Sequence, residues 1–151
     1  MSMIDPGAEF EIIGWYDGIS EALRRSRDGR WKYVSLIAWH REANLRIFGI
    51  VAIDDAVAAD IRVVSAACLP GAHALERGWS ELRGRIASLL TNAKGRAEIR
   101  LCEEIDGEAA VVLHVEAQEI AAMMGQEIDE VIDTRRFADL LLRFPALAGR
   151  T

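Results

Sequence analysis

"RRSRDGRWKYVSLIAWHREANLRIFGIVAI", residues 24–53, places two turn signals between runs of β-prone residues, and this pattern decides the fold. Asp28-Gly29 favours the left-handed backbone angles of a tight hairpin turn, so the residues on either side are predicted to form paired strands. "HREAN", residues 40–44, predicts a second reversal that leads into "LRIFGIVAI". The stretch therefore indicates three consecutive antiparallel strands.

The same pattern continues on both sides of this stretch. Asp17-Gly18 follows "FEIIGWY", so the first 54 residues indicate an antiparallel meander of about four strands. Asp106-Gly107 separates "AEIRLCEEI" from "EAAVVLHVE" and predicts a further hairpin over residues 97–115. The sequence leaves open whether this hairpin joins the meander.

Apolar residues spaced by four and three predict one long helix after the meander. They are Leu75, Trp79, Leu82, Ile86, Leu89 and Ala93. Residues 55–67 fit either a helix or a strand, and we prefer the helix. "AQEIAAMMG" predicts a short helix, and Asp133 or Thr134 can cap a last one. We therefore expect an α+β fold with the meander, the hairpin, one long helix and two or three shorter helices packed on the sheet.

Length and composition indicate one globular domain. The chain has 151 residues, of which 51% are hydrophobic and 28% charged. We expect residues 1–8 to be a flexible tail and residues 9–151 to be a single domain. No apolar run is long enough to cross a bilayer and the first residues lack a signal core, so we expect a soluble cytoplasmic protein. Cys68 and Cys102 lack a CxxC spacing and are predicted to be buried thiols.

The register of the first hairpin predicts which side chains face a partner. A two-residue loop at Asp28-Gly29 pairs residues whose numbers sum to 57. The face expected to pack on helices then carries Ile19, Leu23, Val34, Leu36, Ala38 and, at its end, His40. The opposite face carries an aromatic ladder with a cation across from its middle ring, formed by Trp31, Tyr33, Trp39 and Arg24.

This ladder suits stacking or cation–π contact with a partner, and the alternative is that another layer covers it. A register different by one residue would exchange the two faces.

The candidates for chemistry are few. His40 could act as a general base, but no nucleophile is placed beside it by local spacing. The sequence contains no GxxxxGK[ST], GxGxxG, GxSxG or HExxH motif. The three histidines and two cysteines are too scattered for a zinc site. We assign no catalytic residue, no metal and no cofactor from the sequence.

Charge is distributed unevenly along the chain. Residues 20–50 hold seven basic and three acidic residues. Residues 103–134, here called the acidic block, contain ten acidic residues and no Lys or Arg. The acids are Glu103, Glu104, Asp106, Glu108, Glu116, Glu119, Glu127, Asp129, Glu130 and Asp133. With a net charge of −6, nucleic-acid binding is disfavoured.

Two functional classes remain from the sequence. The preferred class is a protein-binding module of the inhibitor, immunity or adaptor type, which docks on a basic protein surface through the acidic block or the aromatic ladder. Glu127, Asp129 and Glu130 are its candidate acidic contacts, unless the acids only solvate helix faces and pair with the arginine-rich hairpin. The alternative is a small-ligand or nucleotide-handling domain with a pocket at the aromatic and arginine face, in which His40 or Asp17 supplies proton chemistry. No membrane partner is expected, and a homo-oligomer is left open.

Overall fold

The structure, a computed structural model, describes most of the chain. The described residues are 9–15, 19–68, 75–91, 93, 96–103, 105, 109–124 and 131–148. No helix among them is long and apolar enough to span a membrane.

Six antiparallel strands form one sheet in which every strand pairs with its neighbour in the sequence. The strands are β1 (Glu9–Trp15), β2 (Ile19–Arg25), β3 (Trp31–His40), β4 (Leu45–Ile53), β5 (Arg96–Cys102) and β6 (Ala109–Glu116). The predicted α+β class and the meander are confirmed, and the second hairpin joins the sheet because β5 pairs with β4.

Four helices and a short 3-10 turn complete the described fold. They are α1 (Asp55–Cys68), α2 (Leu75–Leu90), α3 (Ala117–Met123), α4 (Thr134–Arg143) and the turn Pro145–Leu147. Residues 55–67 are therefore helical, as preferred. The carboxylate of Asp133 accepts a hydrogen bond from the backbone N–H of Arg135 and caps α4.

The sheet is buried on both faces. On one face, called the helix face, Leu23, Tyr33 and Val51 pack with helix residues such as Leu82 and Ile120. The other, called the second face, buries a separate cluster. It contains Ala22, Val34, Leu36, Trp39, Phe48, Ile50, Cys102, Ile105 and Val131.

The predicted register between β2 and β3 is wrong by one residue. Paired residue numbers sum to 56, so that Leu23 faces Tyr33 and Arg24 faces Lys32. The loop holds five residues rather than two, because the Asp28 carboxylate accepts hydrogen bonds from the Ser26 hydroxyl and the Arg30 N–H. Gly29 keeps the expected positive φ, at 85°.

This register moves Tyr33, Val34 and Leu36 of β3 to the face opposite the predicted one, whereas Leu23 and Ala38 lie on the helix face as predicted. Tyr33 and the half-buried Trp31 pack on the helix face. Ile19, Val34 and Leu36, which were expected there, contact the second-face cluster instead.

A β-bulge in β3 separates Trp39 from the other aromatic residues. Leu36 pairs with Phe48 and Ala38 with Ile47, so Ile37 has no partner of its own on β4. Both Ile37 and Ala38 therefore reach the helix face, and Trp39 turns to the second face. The single ladder of Trp31, Tyr33 and Trp39 does not exist.

Candidate functional site

The centre of the predicted ladder is part of a buried polar cluster instead. The Tyr33 hydroxyl donates to Oε2 of Glu21 at 2.6 Å, and the Ser35 hydroxyl donates to Oε1 at 3.0 Å. Arg83 of α2 donates from Nη1 to Oε1 of Glu21 and from Nε to the carbonyl of Met124, the latter at 3.1 Å. We call these four side chains the Glu21 cluster.

The Glu21 cluster is closed to solvent. Both the Glu21 and the Arg83 side chains have an exposure of 0%. Burial raises the pKa of the Glu21 carboxyl above its ordinary value, although the Arg83 charge and the bonds from Tyr33 and Ser35 lower it. Burial and the adjacent Glu21 also raise the pKa of the Tyr33 hydroxyl well above its ordinary value.

The cluster joins the sheet to the helices rather than offering a surface to a ligand. Sequence analysis missed it because Glu21 and Arg83 lie 62 positions apart. The one sequence signal for this cluster was Glu21, a charged residue in the middle of a predicted strand.

Trp39, in contrast, borders an open cleft of about 590 Å³ at one end of the sheet. The guanidinium carbon of Arg46 lies 4.5 Å from the Trp39 ring centroid and that of Arg41 lies 5.5 Å from it. Arg46 is fixed by donating from Nη1 to Oδ1 of Asn44 and to the carbonyl of Glu103. The cleft is lined by Trp39, Arg41, Glu42, Asn44, Ile132 and Thr134.

Trp31 and Arg24 lie apart from this cleft. The Trp31 ring is covered by Arg62 of α1, whose guanidinium carbon lies 4.6 Å from the ring centroid. Arg62 also donates from Nε to Glu11 at 2.8 Å. Arg24 is buried opposite Lys32. The structure thus disperses the four residues of the predicted ladder.

His40 packs as a structural side chain at the end of β3. Its ring makes an edge-on contact with Phe137 of α4, with centroids 5.5 Å apart. Its Nδ1 accepts a hydrogen bond from the N–H of Ala43 at 3.2 Å, which stabilises the turn into β4. Its predicted place on the helix face is confirmed.

The described acids of the acidic block lie at the surface. Glu103 and Glu116 are exposed, and Glu119 and Asp133 are partly exposed. Glu127, Asp129 and Glu130, the predicted acidic contacts, lie outside the described residues, as does Asp17.

Two of these acids have local structural roles. The Glu119 carboxylate accepts from the N–H of Glu116 at the start of α3, and Asp133 caps α4. The contact at Asp133 lowers the pKa of its carboxyl, first through the Arg135 N–H and then through the Arg135 side chain. These two carboxylates therefore do not pair with the arginine-rich hairpin, which was the predicted alternative.

Strand β6 belongs to the acidic block in sequence and lies at an edge of the described sheet. Among the described strands β6 pairs only with β5 and is an outer strand of the sheet. Its first seven residues, Ala109–Val115, are uncharged. Its ends are marked by the exposed Glu103, which follows β5, and by the exposed Glu116. The sequence indicated the strand and the acids, but not that β6 is an outer strand of the described sheet.

Within the part of the chain that the structure describes, no group of three or more His, Cys, Asp or Glu side chains could hold a metal ion. Comparisons with models of protein families, with curated proteins and with solved structures found no match.

Proposed function

We propose that the chain is a protein-binding module that docks on a basic partner through the acidic block. The observation that carries the proposal is the segregation of charge: ten acids and no Lys or Arg lie between residues 103 and 134. Within this block Glu103, which follows β5, and Glu116, which ends β6, are both exposed. A one-signed surface of this kind attracts a partner of opposite charge and orients it before contact.

Neighbouring cations cancel only part of this charge, because Arg143 pairs with Glu119 and Arg135 with Asp133. Arg100 of β5 donates from Nη2 to Glu98 at 2.9 Å, and Arg143 lies 3.8 Å from Glu119. Each arginine therefore lies against a carboxylate on the same protein. The surplus negative charge of the block remains for a partner.

Charge reversal tests the proposal. The probe is acetyl-Lys-Val-Lys-Thr-Lys-Val-Lys-Thr-amide, and its affinity is measured by calorimetry. The variant Glu127→Lys/Asp129→Lys/Glu130→Lys should bind it about tenfold or more weakly, because the local attraction is removed.

A matched control reverses three exposed acids outside the block and so changes the net charge equally. Asp55→Lys/Asp60→Lys/Glu81→Lys should retain most of the affinity. Equal losses in both triple variants would show that only net charge matters, and failure of the native chain to bind the peptide would contradict the proposal outright.

The Trp39 cleft supports a second candidate function, the binding of a small planar anion. Its volume of about 590 Å³ is in the range of ligand sites, and it presents the exposed guanidinium of Arg41 next to Trp39, which is only 3% exposed and whose ring packs against Arg46. Adenosine monophosphate is a suitable probe. Binding that is lost in Arg41→Ala and retained in Arg27→Ala, an exposed arginine outside the cleft, would favour this candidate over protein binding.

A further inference from the structure

The two outer strands of the described sheet differ in how they resist pairing with another chain. Along β1 the register shifts twice, around Gly14, and Glu11 is held in an ion pair with Arg62. Bulges and charged side chains are the usual protection of a sheet edge. β1 is therefore a poor template for an added strand.

β6 lacks these protections over most of its length. Its register with β5 is continuous from Glu116 to Val111, and a β-bulge at Ala110 interrupts only its first turn-side residues, because Leu101 pairs with Val111 and Cys102 with Ala109. No charged residue or proline interrupts Ala109–Val115. Alternate backbone N–H and C=O groups of a regular outer strand point away from the sheet and can pair with another strand.

An added strand would lie beside the side chains of β6 on both faces of the sheet. Val111, Leu113 and Val115 lie opposite Leu101, Ile99 and Ala97 and join the helix-face core only partly buried. On the second face, His114 lies opposite Glu98 and is exposed. An added strand would therefore meet apolar side chains on one face and Val112, His114 and Glu116 on the other.

Charge and length specify the occupant further. Eight strand residues span about 24 Å at roughly 3.4 Å per residue. The strand ends at the exposed Glu116, and the exposed Glu103 follows the neighbouring strand β5. A complementary segment has about eight residues, alternates apolar with polar side chains and carries Lys or Arg.

We propose that β6 is the docking strand of the molecule and takes up an extended basic, amphipathic segment of a partner protein as a seventh strand of the sheet. Backbone hydrogen bonds to β6 hold the segment, and the acidic block selects its charge. This inference rests on the proposed function and adds the mode of binding to it.

A pair of peptides separates strand addition from simple charge attraction. One is the lysine, valine and threonine peptide described above, and the other has the same side chains with all its backbone amides methylated. Methylation removes the donors that a strand needs but keeps the charges. We expect the methylated peptide to bind about tenfold or more weakly, since several backbone hydrogen bonds are lost.

Amide hydrogen exchange of the full chain locates the contact. With the unmethylated peptide bound, amides of β6 should exchange more slowly, whereas those of β1 should not change.

The contrary outcomes are distinct. Equal affinity of both peptides, or slowed exchange in β1 instead of β6, would overturn strand addition and leave the proposed function standing. Failure of both peptides to bind would overturn both proposals. Slowing of β6 exchange with rising protein concentration and no peptide would show that the occupant is a second copy of the chain, which also overturns the inference.

Discussion

Arg83 of α2 and Glu21 of β2 form an ion pair in which neither side chain has any solvent exposure. Glu21 also accepts hydrogen bonds from Tyr33 and Ser35, so each of its oxygens has a partner. A buried charge that loses its partner is far more costly than a pair replaced as a whole. The pair therefore links α2 to the sheet.

Removing one member of this pair should destabilise the fold severely. We expect Arg83→Met to lower the free energy of unfolding by about 3–5 kcal/mol, because Glu21 is left buried without its counter-charge. The double variant Glu21→Leu/Arg83→Met should recover part of this loss. Urea denaturation measures both.

Arg85→Met on the same helix is the control. Arg85 pairs with Glu81 at 3.8 Å, and both side chains are at least half exposed. A cost for Arg83→Met no larger than that for Arg85→Met would refute the structural role of the pair.

The Glu21 pair also predicts a pH dependence. Because burial raises the pKa of Glu21 in the folded chain, the folded state binds its proton more tightly than the unfolded state does. This stabilising contribution is complete below the unfolded pKa of roughly 4.3 and is lost as the pH rises through the folded pKa.

Thermal denaturation of native chain and Glu21→Gln from acidic to neutral pH measures this effect. Relative to Glu21→Gln, the native chain should lose stability as the pH rises through that window. A difference in Tm that stays constant, or that grows with pH, would contradict the prediction.

Gly49 of β4 should tolerate no side chain. A Cβ at this position would lie 2.6 Å from Cγ2 of Ile120, because α3 approaches the sheet closely there. We expect Gly49→Ala to cost about 1–3 kcal/mol in the native chain and less in an Ile120→Ala chain, in which Cγ2 is absent.

Gly84 of α2 provides the opposite case. A Cβ there has no neighbour within 4 Å, and alanine favours a helix interior over glycine. Gly84→Ala should stabilise the chain by about 0.5–1 kcal/mol. Similar denaturation midpoints for the two alanine variants would argue against the packing of α3 on β4.

Arg136 of α4 should support the bulge that turns Trp39 away from the helix face. It donates from Nε to the carbonyl of Ile37 at 2.7 Å and from Nη2 to that of Met123 at 2.8 Å. Arg136→Ala leaves both carbonyls without this donor, so we expect a loss of about 1–3 kcal/mol and faster amide exchange around Ile37. Arg135→Ala, at a side chain that is 89% exposed, should leave both quantities nearly unchanged.

The sequence predicted the class and the strand pairing better than the placement of side chains. Turn signals and periodicity depend on neighbouring residues, so the meander, the second hairpin and α2 could be recognised locally. The register could not be predicted, because the length of the loop depends on the hydrogen bonds that the Asp28 carboxylate accepts from Ser26 and Arg30. The bulge at Ile37 gave no signal in the sequence, although it moved Trp39 to the other face.

The candidate site, too, could be predicted from the sequence only in part. The acidic block is a property of composition and was visible at once. The openness of the β6 edge depends on which strand ends the sheet, and the second hairpin could have been separate from the meander. The pairing of β5 with β4 decides it and makes β6 an outer strand of the described sheet.

The measurement that tests the central claim most directly is the Kd of the lysine, valine and threonine peptide at two salt concentrations. Docking through the exposed acidic block is screened by salt, so the Kd should rise about tenfold or more between about 50 mM and about 300 mM NaCl. An affinity that does not change with salt would contradict charge-directed docking.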